Sequence, residues 1–359
     1  MFVDDWSILA SAGTNPKEVE QNFGSHFSTR GKHWQAAVSH PRVLHWQEMN
    51  KKGDRIHHLA QACADGLKAS FDQRCLVNIG SSRGATGFLE QSIEGFFKRG
   101  EVPAYSSPVS TLGAISSNVA HQLKTNGAVV DHSMTCSTSL QAVVNAYAYL
   151  KAGLVNQALV GGVEAPLTDF TFAQFEALRL MSTEKELPCH PLSTKLNNTM
   201  VIGEGAGLVK LAAEKSSQSK WEILGLGQAL ESAKHLVGIE GEALENSMER
   251  ALESSGLERV DAVLAHAPGT KLGDEVEKAA VKKLLGEVEV LSNKWAFGHT
   301  FGASGVMSLI WAGWLLDGWK PEIPPAYKES HQLSSVPQSI MINAIGFGGS
   351  AVSIVLGKA

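Results

Sequence analysis

Thr135-Cys136-Ser137-Thr138-Ser139-Leu140 is the stretch on which the reading of this chain turns. Behind it runs an apolar segment, residues 127–130. Ahead of it, residues 141–150 carry alanine and leucine without glycine or proline, a composition that favours a helix. Cys136 therefore stands where a strand passes into a helix. Unpaired backbone N–H groups and the positive end of the helix dipole meet at such a place and favour a thiolate, which predicts a thiol pKa below the free value of about 8.5. An unpaired cysteine is most often a small buried hydrophobe, so position alone does not make a nucleophile. Its partners have to be found elsewhere in the chain.

The 359 residues are 43% hydrophobic and 19% charged, the balance of a globular protein with a core large enough to need no staples. Cys63, Cys75, Cys136 and Cys189 have neither metal-ligand spacing nor a disulfide framework, so free thiols in a reducing compartment are expected. Asp4 and Asp5 near the amino terminus do not fit a signal peptide, and the expected location is cytoplasmic. The most apolar helical window, residues 306–319, is shorter than the roughly 18 residues of a membrane span and ends near Asp317. A net charge of −5, with no arginine-rich tract, argues against a nucleic-acid binder.

Two series of elements follow one another. The first has a helix over residues 54–67 with Cys63 on its apolar stripe, a buried strand over 75–79, a glycine turn over 80–84 and helices over 85–98 and 117–123. The cysteine helix, a strand over 157–162, a polar connection over 182–198 and a glycine-broken strand over 201–209 complete it. The second series has a strand over 221–229, a helix over 241–255, a strand over 260–265 ending at His266, a helix over 275–285 and a strand over 288–291. An apolar helix over 306–314 and two strands joined by Gly346-Phe347-Gly348-Gly349 end the chain. Residues 16–23 read as a short helix, and residues 32–50 give no clear pattern. Both series share an order of parts, and each carries one helix apolar on most sides, which predicts a layered α/β duplication with those two helices between sheets.

Three stretches accompany Cys136: Ala265-His266-Ala267-Pro268-Gly269-Thr270 with Asp274 downstream, Lys294 to His299 before another turn into a helix, and the Gly-Phe-Gly-Gly loop. Each places a polar side chain or a closely approaching backbone where chemistry can use it. In this order the four motifs resemble the β-ketoacyl synthases, the condensing enzymes of fatty-acid and polyketide synthesis, from about residue 54 to the carboxyl terminus. The resemblance implies a thiolase-like fold, an αβαβα sandwich of two halves, residues 1–225 with the nucleophile and residues 226–359 with the histidines, lysine and glycine loop.

It also implies roles. Cys136 is the acylated nucleophile, His266 and His299 complete a Cys-His-His triad, and Lys294 stands beside them. Phe347 gates the acyl pocket and lends its N–H to an oxyanion hole shared with Cys136. Thr270 and Gly348 contact substrate, Glu204 and Asp274 support the site, and Lys51, Lys52 and Arg55 fall where relatives dock an acidic carrier protein. The implied reaction is decarboxylative condensation of a Cys136-bound acyl group with malonyl-acyl carrier protein, in fatty-acid, polyketide or pigment-type synthesis. No metal or organic cofactor enters it. A homodimer, or a heterodimer with a related subunit, is expected. Pro268 replaces a threonine that usually binds the pantetheine arm. Ser308 replaces the glutamate that usually pairs with the lysine, leaving Asp274 or Glu204 as the anion for Lys294. Ile345 replaces a phenylalanine, and much of the usual first strand is missing. These departures keep open a chain-length-factor-like partner subunit that does not condense, and an acyltransferase that uses Cys136 without decarboxylation. A thiolase is disfavoured because no cysteine follows Cys189, and the ketoacyl synthase III and chalcone synthase groups because they carry asparagine in place of one histidine.

Overall fold

The computed structural model describes residues 1–22, 25–194, 197–232, 240–323, 325–327 and 333–359. The chain opens with β1 (Phe2–Ala10), α1 (Pro16–Gln21), β2 (Ser28–Arg30), β3 (His33–Ala36), α2 (Pro41–Met49) and α3 (Arg55–Ala64). Next come β4 (Leu76–Gly80), α4 (Thr86–Arg99), α5 (Ser106–Ser110), α6 (Gly113–Gln122), β5 (Val129–Val130), α7 (Thr138–Lys151), β6 (Gln157–Glu164) and α8 (Asp169–Ala177). The middle of the chain gives β7 (Ile202–Gly203), β8 (Gly205–Ala212), β9 (Trp221–Leu230), α9 (Glu242–Ser255), β10 (Ala262–Leu264) and α10 (Lys271–Leu285). It ends with β11 (Glu289–Leu291), α11 (Lys294–Phe297), α12 (Ser304–Leu316), β12 (Ser339–Ile345) and β13 (Ser350–Lys358).

Strand order explains the repeated order of parts. The large sheet runs β11-β10-β12-β13-β9-β1-β8-β6-β4-β5, and β9 meets β1 through only two residue pairs, Phe2 with Glu222 and Val3 with Trp221. On either side of that joint stands the same five-strand unit. Three parallel strands (β5, β4, β6 or β11, β10, β12) are followed by two antiparallel ones (β8, β1 or β13, β9). Helices α7 and α12 lie between the two units, α3 and α6 cover the outside of one, and α9, backed by α10, covers the other. The result is the expected five-layer αβαβα sandwich. The boundary expected between residues 225 and 226 falls inside β9.

Period-two alternation sends neighbouring side chains to different layers. Leu159 packs under α3 while Val160 faces the central helices, and Met341 packs under α9 while Ile342 faces inward. All thirteen residues of α12 are buried, which its nearly uninterrupted apolar sequence requires. Each large apolar side chain so buried contributes roughly 1.5–3 kcal/mol. Gly305 lets α12 touch α7, since a Cβ there would lie 2.6 Å from Leu140 Cγ.

The first strand is present, against expectation. Its pattern is hidden because Asp4 and Asp5 interrupt the apolar run, and the pairing with β8 shifts register between Val3 and Asp5. Those two acids bond neighbouring loops instead: Asp5 Oδ2 accepts from Lys68 N at 2.6 Å and Ala69 N at 2.8 Å, and Asp4 Oδ1 from Ser219 Oγ at 2.8 Å. Residues 32–50, unreadable by periodicity, hold β3 and α2. Of the helix expected over 16–23, α1 ends at Gln21 and Phe23 lies outside the described residues. All four cysteines are free and buried. Among the described residues no helix is long and apolar enough to cross a membrane.

Candidate active site

The turn between β5 and α7 is built by its own hydroxyls. Thr138 Oγ1 accepts from Met134 N at 2.8 Å and donates to Thr135 O at 2.6 Å, while Ser137 Oγ donates to Met134 O at 2.8 Å. Thr135 is held at φ +50°, a strained value for a threonine, and this turn presents Cys136 just ahead of the helix. Opposite lies the turn between β12 and β13. A Cβ on Gly346 would lie 1.8 Å from Thr135 Oγ1 and 3.0 Å from Cys136 N, so only glycine lets the two backbones meet. Thr135 Oγ1 donates to Phe347 O at 3.2 Å and ties the turns together.

His299 reaches the cysteine from the other half. Its N–H donates to Val201 O at 2.7 Å and its carbonyl accepts from Gly203 N at 3.0 Å, so the β7 segment grips it on both sides. His299 Nε2 lies 3.3 Å from Cys136 Sγ. The His266 ring stands 5.1 Å from the His299 ring at 83°, and its loop is fixed by a carboxylate on α10. Glu277 Oε1 accepts from His266 N at 2.9 Å and Oε2 from Ala267 N at 2.8 Å. One turn earlier on the same helix, Asp274 accepts from Leu192 N at 2.7 Å and Gly269 N at 3.1 Å. Asn343 Nδ2, on β12, donates to Glu277 Oε1 at 3.3 Å.

Burial dominates the electrostatics. It lowers His299 to about 3, with Lys294 acting in the same direction, and takes His266 well below its ordinary value, with His299 and Lys294 adding to the effect. Both shifts favour the neutral imidazole. Burial also pushes the Cys136 thiol up to about 12, Glu164 raising it further and Lys294 lowering it. The thiolate expected from the helix start is thus overridden by desolvation in the resting site. Proton transfer from Sγ to Nε2 creates opposite charges 3.3 Å apart. Their attraction offsets desolvation that each charge would suffer alone.

Lys294 is 2% exposed, and burial brings it down to about 8, with Glu277 the largest opposing influence. Its Nζ donates to Asn293 Oδ1 at 3.4 Å, and Ser308 Oγ donates to the same oxygen at 3.3 Å. The anion sought for this lysine is therefore chiefly Glu277, with Asp274 a weaker contributor. Glu204 is a correction: it accepts from Arg55 Nε at 2.7 Å, from Arg55 Nη2 at 2.5 Å and from Val38 N at 2.8 Å, clamping the segment after β3 to α3. That clamp also removes Arg55 from the set of free carrier-docking cations. Lys51 and Lys52 are exposed, and Lys52 Nζ lies 5.5 Å from the Tyr105 ring centre.

Cys136 and the histidines open on a cavity of about 290 Å³. Its walls include Thr270, Pro268, Phe175, Met200, Phe301 and Phe347. Phe175 packs 4.9 Å from Phe301 and 6.3 Å from Phe347, ring centre to ring centre. Gly348, expected against substrate, is not part of this wall and serves the turn at φ +88°. Two buried acids escaped the sequence reading. Glu277 shares a helix face with Asp274, a spacing that could have revealed it. Glu164 closes the apolar β6, and a lone acid there signals a buried carboxyl; its Oε1 accepts from Ser82 N and, at 3.1 Å, from Gly302 N. Burial pushes Glu164 up to about 7.

Donor atoms of Cys136, His266 and His299 all lie within 4.8 Å of one another. Zinc accepts such a set. The same convergence equips a sulfur nucleophile with two neutral N–H donors or acceptors, which suits acyl transfer through a thioester.

Comparison with known proteins agrees with this arrangement. Residues 58–217 match the family described as Beta-ketoacyl synthase, N-terminal domain, and residues 222–319 match Beta-ketoacyl synthase, C-terminal domain. The chain is 30% identical over 259 residues to 3-oxoacyl-[acyl-carrier-protein] synthase 2 of Staphylococcus aureus (strain COL), covering 65% of this chain and 61% of that protein. The match thus spans about three fifths of the relative's length. Among solved structures, the ishigamide ketosynthase/chain length factor superposes with a TM-score of 0.86 at 19% identity, covering 100% of this chain and 98% of the other. A type II PKS acyl-carrier protein in complex with its ketosynthase, AntDE:AntF, gives 0.84 at 18% identity, covering 100% and 99%. At these identities the structural likeness establishes the fold.

Proposed function

The chain belongs to the β-ketoacyl synthase family, and from that premise we propose that it forms a carbon–carbon bond by decarboxylative condensation on a Cys136 thioester. The observation that carries the reading is the 3.3 Å contact between Cys136 Sγ and His299 Nε2 at the base of the cavity, with His266 set across it.

In the first half-reaction the sulfur attacks the carbonyl carbon of an acyl thioester while its proton moves to His299 Nε2. The tetrahedral oxyanion collapses, the carrier thiol leaves with that proton, and the acyl group stays on Cys136. The close approach of Gly346 to Cys136 N supports an oxyanion hole made by the N–H groups of Cys136 and Phe347, each worth about 3 kcal/mol of barrier. In the second, a malonyl thioester loses carbon dioxide, and the electron pair left behind is held as an enolate by N–H bonds from His266 and from His299 in its Nε2–H tautomer. Neutral imidazoles suit this task because each still carries one N–H to donate. The carbanion carbon attacks the acyl-cysteine carbonyl, the C–S bond breaks, and a β-ketoacyl thioester forms while the departing Cys136 thiolate takes up a proton from solvent. Glu277 holds the His266 loop, and burial, reinforced by the charge of Lys294, favours the neutral form of both imidazoles.

We assign acyl carrier protein as the bearer of both thioesters and a dimer, with itself or with a related subunit, as the working form. The carrier complex of AntDE:AntF and the ketosynthase/chain length factor pair among the solved relatives support these assignments. Four free cysteines support a cytoplasmic location. A second reading, acyl transfer from Cys136 to an acceptor other than malonyl, draws on Pro268, which brings no hydroxyl to the cavity wall.

Incubation with acyl carrier protein bearing acyl groups, followed by intact-mass measurement, tests the proposal. One acyl mass is expected on the protein and none on Cys136→Ala. An unchanged mass for the parent protein sinks both readings.

A further inference from the structure

One charged side chain lines the cavity and takes no part in the chemistry above. Arg83 sits in the glycine turn between β4 and α4, whose shape is fixed independently of any ligand. Ser81 Oγ accepts from Gly84 N at 2.9 Å and from Arg83 N at 3.3 Å, and Ser82 N is bonded to buried Glu164. The arginine therefore projects from a rigid base. Its Nη2 donates to Gln174 Oε1 at 2.5 Å, on α8 beside the Phe175 that faces the cavity.

One donor of the half-buried guanidinium, Nε, is left unsatisfied. Among the described residues Arg83 forms no ion pair, and its Nε is buried without a hydrogen-bond partner. Glu164 and Glu90 act on it only as charges at a distance. The cavity it lines is largely apolar, with Phe175, Leu180, Met200, Phe301 and Ile345 in its wall beside the hydroxyls of Thr135 and Thr270. A guanidinium carries five donors, and leaving donors unmet beside apolar groups is costly. A saturated acyl chain would take water from this group and return nothing.

We infer that Arg83 selects the acyl group: the chain loaded on Cys136 carries an acceptor oxygen beyond its thioester, as hydroxyl, ketone or carboxylate, and that oxygen meets the guanidinium. The inference rests on the reading that Cys136 is acylated. It adds a substrate class to that reading, oxygenated acyl groups in preference to plain alkyl ones.

The test compares acyl-pantetheine thioesters in matched sets. For hexanoyl, octanoyl and decanoyl lengths, the plain acyl, terminally hydroxylated and terminally carboxylated members are offered, and acylation of Cys136 is timed by intact mass. At the best-fitting length an oxygenated member is expected to acylate about tenfold or more faster than the plain one, the scale of a hydrogen bond to a charged group. Arg83→Leu is expected to erase that ratio. A preference limited to the carboxylated member would identify anion binding, and one shared by the hydroxylated member recognition of neutral oxygen; either supports the assignment. Equal rates across a set in the parent protein, with Cys136 acylated by all members, would overturn it while leaving acylation itself standing. No acylation by any member would overturn both. The comparison within the parent protein can overturn the assignment even if the leucine variant fails to fold.

Discussion

Replacing Glu164 by glutamine removes one charge from beside the nucleophile and keeps the shape of the side chain. Burial pushes this carboxyl from 4.5 up to about 7, so the folded protein holds its proton more tightly than the unfolded chain does. That contribution to stability is complete below about pH 4.5 and is lost as the pH rises through 7. With 1.36 kcal/mol per pKa unit, the loss comes to roughly 3 kcal/mol. Glutamine does not titrate, and its Oε1 can still accept from Ser82 N and Gly302 N. Urea unfolding of both proteins from pH 4 to 9 should therefore give curves that diverge with rising pH, the variant gaining up to about 3 kcal/mol relative to the parent. Asp274, also pushed up to about 7, titrates in both proteins and cancels in the difference. Because Glu164 raises the Cys136 thiol, iodoacetamide should also modify Cys136 faster in Glu164→Gln at neutral pH. Parallel stability curves, together with an unchanged alkylation rate, would refute the reasoning.

Other consequences follow from single contacts. Gly346→Ala places a methyl 1.8 Å from Thr135 Oγ1 and should cost about 1–3 kcal/mol while separating the two turns, read as a lower urea midpoint and slower acylation of Cys136. His266→Ala should still accept an acyl group and His299→Ala should accept one more slowly for want of the base at Nε2, and both should release carbon dioxide from malonyl carrier protein about 10²-fold more slowly or worse, measured by gas release. Full release by both variants removes the role assigned to the imidazoles. Zinc ions should protect Cys136 from iodoacetamide by bridging the sulfur and the two histidines, and a chelator should restore modification. Equal labelling with and without zinc would show that the three donors do not close on an ion.

Most of the layering was legible because it rests on periodicity. The apolar residues of α12 can only be buried on every side, and the matched order of strands and helices in the two series already implied a duplicated sandwich. The first strand was not legible, since Asp4 and Asp5 break its pattern and find partners only in loops brought in by the tertiary fold. At the site, Cys136, His266 and His299 were found from position and motif, and the structure brings them together across the two halves. The buried acids were harder to find. A carboxylate such as Glu204 or Glu277 looks alike in a sequence, and only packing decides that one clamps Arg55 while the other holds the His266 loop. The expected thiolate failed for a related reason: a helix start can be read from residues, but the depth at which Cys136 is buried cannot.

The decisive step is the attack of a carbanion on acylated Cys136. Carboxyl-labelled malonyl carrier protein is added to enzyme already acylated at Cys136, and labelled carbon dioxide is counted against the mass of the thioester product. The account predicts one carbon dioxide released for each β-ketoacyl thioester formed, with the acyl mass leaving Cys136 at the same rate. Acyl groups that leave Cys136 without release of carbon dioxide, or that stay there indefinitely, would contradict it.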